Sequence, residues 1–171
     1  MSSIPCPGCG AHFPDVEGPV HRYMESSPGC WAAYGEVLER EYGAPAFFAA
    51  HPFTVDAYAV QHPGRPSKQA NQSVTVHLMS LCLTLEHGLR LDRAPRAIQA
   101  IVESGQTFEW LTPPADPFPV TVADVRGARD LETHKVRVRE WAESAWQAWS
   151  RHHETIRARV AESKVFDHFL S

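Results

Sequence analysis

The sequence lacks any apolar run near the roughly 18 residues needed to span a bilayer, so no membrane-spanning helix is expected. Its opening stretch, MSSIPCPGCG, has neither a basic region nor an apolar one, so a secretory signal is not expected and a cytoplasmic location is. Positive charge is scarce as well. Sixteen Lys and Arg against twenty Asp and Glu give a net charge of −4. That balance argues against a protein that grips phosphate backbones by bulk charge, and nucleic acid is not expected as a partner. Cysteine is limited to four residues, too few and too unevenly placed for a disulfide framework without an export signal. There is no internal repeat, no low-complexity tract and no linker long enough to divide the chain. With 171 residues and 43% hydrophobic side chains, one domain spanning 1–171 is expected.

Histidine (10), tryptophan (5) and proline (14) are plentiful. Three of the four cysteines fall within the first thirty residues, as Cys6-x-x-Cys9 followed by Cys30. A redox pair of thioredoxin type should follow a strand and open a helix. Here Pro7, Gly8 and Gly10 make a tight turn instead, which aims two thiolates at one point as a zinc knuckle does. Cys30 stands just inside a helix start, where the helix N-terminus favours a thiolate. A structural zinc ion held by Cys6, Cys9, His21 and Cys30 follows, with His12, His51, His62 or water as alternatives to His21. Residues 1–30 read as an irregular segment, too poor in apolar residues to fold alone, which a metal would remedy.

The remainder reads as mainly α, a helical-bundle-like arrangement on which that segment packs. Helical spacing of Trp31, Tyr34, Leu38 and Tyr42 begins at Pro28 and stops at Gly43, and a short helix follows near Pro45–Ala50. FTVDAYAVQ fits a strand by alternation and a helix by its opening residues, and the helix is preferred. Ser67 to Leu89 is the most apolar helix, and APRAIQAIVESG is a shorter one stopped by Gly105. The proline-rich GQTFEWLTPPADPFPV is an ordered loop anchored by Phe108 and Trp110. Thr121 caps a short helix, and a long helix runs from about Leu131 to Glu162.

Several polar residues interrupt these apolar faces. His153 falls inside the face of Trp146, Trp149, Ile156 and Val160, and Ser73 and His77 lie beside the Leu81/Leu85 stripe. An imidazole in an apolar seam needs a partner, since an unpaired buried polar group costs roughly 1–3 kcal/mol. A pocket is therefore expected in which Asp56, His62, His77 and His153 are the candidate catalytic residues, with His134 as a substitute. Gln61, Gln72, Tyr58 and His152 would be its ligand-binding contacts. Such a pocket can take a small molecule or a second divalent metal, with metal-assisted hydrolysis or group transfer as the chemistry and Asp56 or a histidine moving the proton. The first alternative is a zinc-stabilised adaptor that binds a protein through an exposed patch at Trp31 or Trp141, and the second, which the negative charge disfavours, is a nucleic-acid-associated zinc protein. The arginines of the last helix alternate with glutamates and form a solvated face, and Cys82 reads as inert core.

Taken together, CPGCG, GPVHRYMESSPGCWAAYGEVLEREY, HPFTVDAYAVQHPG, QSVTVHL and WAESAWQAWSRHHETIR resemble a bacterial family of unknown function across nearly the whole chain. The resemblance implies that Cys6, Cys9, His21 and Cys30 belong to one unit with His62, His77, His152 and His153. A looser likeness is to the DinB-like metal-binding four-helix bundles. The chain departs from them in its N-terminal cysteines and in lacking a clean helical pair of histidines four apart, so that likeness carries fold only.

Overall fold

A computed structural model of the chain describes residues 1–169. The described residues are mainly α-helical, with one two-stranded sheet near the N-terminus. That sheet corrects the expectation of an irregular start: β1 (Ser3–Pro5) pairs antiparallel with β2 (His12–Pro14), Ile4 opposite Phe13. Between them the Cys6–Ala11 turn is closed by the Cys6 amide donating to the Ala11 carbonyl (2.8 Å) and the Gly10 amide donating to the Cys6 carbonyl (2.9 Å). Gly10 takes φ +80°, a conformation that suits glycine. Prolines at both strand ends hide the alternation that would have revealed the hairpin.

Helix α1 (Pro28–Gly43) opens with Ser27 as its cap, whose hydroxyl accepts from the Cys30 amide, and with proline in its first turn. Its buried face is Cys30, Ala33, Tyr34, Val37 and Glu41, while Tyr42 is 68% exposed. The stripe through Trp31, Leu38 and Tyr42 is therefore rotated by about a residue from the face that packs. Gly29 fixes the rotation: a Cβ there would stand 2.6 Å from the Pro14 carbonyl oxygen, so α1 is pressed against the hairpin. A short α2 (Pro45–Phe48) leads into α3 (His51–Gln61), which is helical and buried on nearly all sides between α4 (Lys68–Leu81) and α7 (Leu131–Ala148).

Helix α4 continues into a π-helical turn at Cys82–Glu86, and the chain leaves it through Gly88 (φ +69°). Helices α5 (Ala94–Glu103) and α6 (Val122–Arg126) follow, the latter opened by a capping box between Thr121 and Asp124. The loop between them is tied down by Phe118, which is buried and donates its amide to the Cys9 carbonyl (3.2 Å), with Phe108 packing against the core edge. The expected long helix from Leu131 to Glu162 is broken. Helix α7 ends at Ala148, a 3-10 turn covers Ser150–His152, and α8 (His153–Glu162) and α9 (Val165–Phe169) follow. Trp149 (φ −91°, ψ 16°) is the break: its buried indole donates to the Val60 carbonyl at 3.0 Å, tying the turn to α3. One buried apolar cluster runs from Cys6 to Val165. Among the described residues, no helix is long and apolar enough to cross a membrane.

Candidate metal centre

Three elements bring four side chains to one point. The hairpin turn supplies Cys6 and Cys9, the first turn of α1 supplies Cys30, and the residue capping α3 supplies His62. All four are buried, and their ligand atoms lie within 4.8 Å of one another. His62 Nε2 stands 3.5 Å from Cys6 Sγ and 3.4 Å from Cys30 Sγ, and Cys9 Sγ is 3.9 Å from Cys30 Sγ. This group can hold a metal ion.

The imidazole is oriented by its own helix. Its Nδ1 lies 2.7 Å from the Tyr58 carbonyl, which only accepts, so Nδ1 carries the proton and the Nε2 lone pair faces the sulfurs. Tyr58 stacks on the His62 ring (centroids 3.9 Å apart) and on Tyr34 (3.8 Å), and its hydroxyl reaches Cys30 Sγ at 3.6 Å. Burial raises the Tyr58 phenol well above its ordinary value, so it remains a proton donor beside the thiolate site. Without a cation the thiols are unequal. Hydrogen bonds from Cys30 and Cys9 hold Cys6 well below the usual thiol range, while bonds to Cys6 and Cys9, with burial, push Cys30 up. A cation among the sulfurs would let all three ionise together. Gly8 closes the turn over the site, and a Cβ there would collide with the His62 ring and the carbonyls of Glu25 and Gln61.

His62, not His21, stands with the three sulfurs. His21 is folded into its own turn, where Nδ1 accepts the amides of Tyr23 (3.3 Å) and Met24 (3.2 Å). His12 lies exposed on β2, and His51 is engaged elsewhere. The move of His62 also dissolves the expected helical pocket. His153 stacks on Trp146 (centroids 3.8 Å) and bonds its carbonyl at 2.8 Å, and His152 bonds the Thr112 carbonyl at 2.8 Å, so both tie down the break after α7. Gln61 accepts from the Trp141 indole (2.9 Å) and donates to the Val120 carbonyl (2.7 Å), leaving its amide to the core. Gln72 is half-buried on α4, away from these bonds.

Of the expected catalytic group, Asp56 and His77 do meet. Asp56 is 1% exposed, and its carboxylate accepts from His77 Nδ1 (2.7 Å) and from the Ser80 hydroxyl (2.5 Å). Burial raises its pKa against the pull of those bonds. A second buried carboxylate, on α1, has no motif that marks it in the sequence. Glu41 accepts from Thr54 (2.5 Å), His51 (2.8 Å) and His134 (3.0 Å), and these bonds outweigh its burial and hold it below the ordinary range. His134 donates to Glu41 from Nε2, because its Nδ1 faces the Arg40 guanidinium at 3.3 Å, which can only donate. The one signal in the sequence is that Glu41 continues the Tyr34 and Val37 face of α1.

Cys82, Glu86 and His87 form the other group of metal-ligating types among the described residues. Glu86 there is held by Arg157 through both oxygens (2.7 and 2.9 Å), an ion pair that a metal would have to displace.

Fold and site together define a helical protein whose N-terminal hairpin converges on a buried centre of three cysteines and one histidine. The chain belongs to the family of unknown function DUF5946, whose family model matches residues 4–150. That match takes in all four residues of the centre. No curated protein and no solved structure matches the chain.

Proposed function

We propose that Cys6, Cys9, Cys30 and His62 hold a structural zinc ion, and that the helices it steadies bind a small molecule. The observation that carries the zinc assignment is the spacing of the four ligand atoms. With Zn–S near 2.3 Å and Zn–N near 2.0–2.1 Å, a regular tetrahedron has S···S edges of about 3.8 Å and S···N edges of about 3.5 Å. Three of the six edges match these values, at 3.9 Å for Cys9 to Cys30 and 3.5 and 3.4 Å for His62 to Cys6 and Cys30, and all six lie within 4.8 Å. Three soft sulfurs and one imidazole select zinc over the hard cations that prefer oxygen. All four positions are filled from the chain and all four residues are buried, so no position is open to water or substrate. Metal-assisted hydrolysis or group transfer is therefore not assigned to this centre. Thiolate-bound zinc fits a reducing compartment such as the cytoplasm.

The small-molecule reading is supported by a cavity of about 820 Å³ between α3 and α5, within the 300–1,000 Å³ usual for ligand sites. The adaptor alternative needed an exposed tryptophan patch, yet Trp141 is fully buried and Trp31 half-buried. A nucleic-acid surface is opposed by the pairing of Arg126 with Glu36, Arg137 with Glu140 and Arg139 with Glu143.

Elemental analysis of purified protein is expected to give one zinc per chain. Cobalt exchanged into the site should show the intense visible bands of a tetrahedral centre together with thiolate-to-cobalt charge transfer. His62→Ala should lose most of the metal and His21→Ala none. Full metal retention by His62→Ala would sink the assignment.

A further inference from the structure

The cavity beside α3 has walls of one kind and a floor of another. Phe48, Val55, Leu91, Pro95 and Ile98 make the walls apolar. Asp56 and Ser80 form the floor, each only 1% exposed. We propose that this cavity is a site for an apolar primary amine, its chain along the walls and its ammonium group on Asp56 and Ser80. The inference rests on the small-molecule reading above.

The floor can accept hydrogen bonds but has none to donate. The Ser80 proton is spent on Asp56 Oδ2 and the His77 Nδ1 proton on Asp56 Oδ1, so what the Asp56 and Ser80 side chains have left to offer a ligand is lone pairs. His51 also lines the cavity, but its Nδ1 is turned to Glu41 and its Nε2 faces the Tyr42 hydroxyl at 3.3 Å. At the rim, Arg90 grips Asp92 through two nitrogens (3.0 and 2.8 Å), so its charge is already answered. A carboxylate ligand would meet only lone pairs on the floor. An alcohol supplies one donor. An ammonium supplies three, and its charge compensates a carboxylate that burial otherwise disfavours. The small exposure of Asp56 and Ser80 admits a head group end-on, which suits an unbranched amine over a bulky one.

The test uses the zinc-loaded full chain at pH 7 and three probes of equal chain length, n-octylamine, 1-octanol and octanoate, titrated by calorimetry. Octylamine is expected to bind roughly ten- to a hundredfold more tightly than octanol, the range of a charge-assisted hydrogen bond, with octanoate weakest. Ile98→Trp, which fills the cavity from α5, should abolish binding of octylamine with zinc content unchanged. Asp56→Asn should bring octylamine and octanol within about threefold of each other by removing the charge-assisted bond. Octanoate binding as tightly as octylamine overturns the amine assignment while leaving a ligand cavity in place. Failure of all three probes overturns the cavity reading with it. Octylamine binding that survives Ile98→Trp places the amine elsewhere and overturns the inference as well.

Discussion

The first 27 residues and the α3–α4 pair are ordered by different means. Before α1, the fully buried apolar side chains are Cys6, Cys9 and Phe13, and two of those are the knuckle thiols. Helices α3 and α4 bury Phe53, Ala57, Tyr58, Ala59 and Val60, and Val74, Val76, Leu78, Met79 and Leu81. Burial at about 25 cal/mol per Å² can hold the second region and cannot hold the first. His62 belongs to both, as the cap of α3 and the fourth member of the centre, so order in the hairpin is linked to the most buried helix. Where packing is thin, the proposed ion would stand in for a core.

The sharpest way to break that contrast is Cys9→Ser. Zinc should be lost, and the hairpin should become the first site of proteolytic cleavage. If even about 4 kcal/mol of the 10–16 kcal/mol typical of structural zinc is forfeited, Tm falls by roughly 8–16 °C for a chain of this size. Metal content, limited proteolysis and calorimetry check this together; an unchanged Tm with no zinc would mean that packing alone holds the hairpin. Gly8→Ala should come next, at about 1–3 kcal/mol, because its Cβ meets the His62 ring and two carbonyls that cannot easily yield. Its signature is faster zinc loss to a chelator, measured beside the urea midpoint.

The helical region should answer to packing and not to metal. Trp141→Phe leaves the buried Gln61 oxygen without its indole donor, which should cost about 1–3 kcal/mol in urea unfolding with zinc still at one per chain. A drop in zinc content in this variant would show that the two regions are less separate than the burial pattern implies.

These contrasts explain what the residues disclosed in advance. The knuckle cysteines were visible because their turn needs Pro7, Gly8 and Gly10, and Cys30 because it follows a helix cap. Glycine and proline punctuation marked α1, α4 and α5. His62 stands in the sequence only as one of several alternatives to His21, because its place depends on the length of α3 and on the His62–Tyr58 bond, 32 residues beyond Cys30, where no spacing rule applies. In sequence it groups with His77 and His153 on the general ground that imidazoles in apolar faces need partners. They do have partners, but separate ones: a carboxylate for His77 and a backbone carbonyl for His153. The break at Trp149 was invisible for a similar reason. No glycine or proline marks it, and its cause is a bond to Val60 on another helix.

The smallest effect belongs to the outer edge of the helical region, where Arg157 on α8 grips Glu86 on the π-helical turn. The Arg157 guanidinium holds the Glu86 carboxyl down at about 2, with the Trp146 indole helping. Because the folded value lies below the unfolded one, the pair adds stability above the ordinary carboxylate range and loses it as pH falls from about 4.5 towards 2. Both side chains are open to solvent, so screening leaves only a minor share of that shift as stability. Arg157→Gln should therefore lower the urea midpoint slightly at pH 7, less so in 1 M salt, where the Debye length is about 3 Å. Zinc content should not move. If Arg157→Gln instead cost as much as Trp141→Phe, the π-helical turn would depend on its ion pair, and the region's stability would not reside in its apolar packing alone.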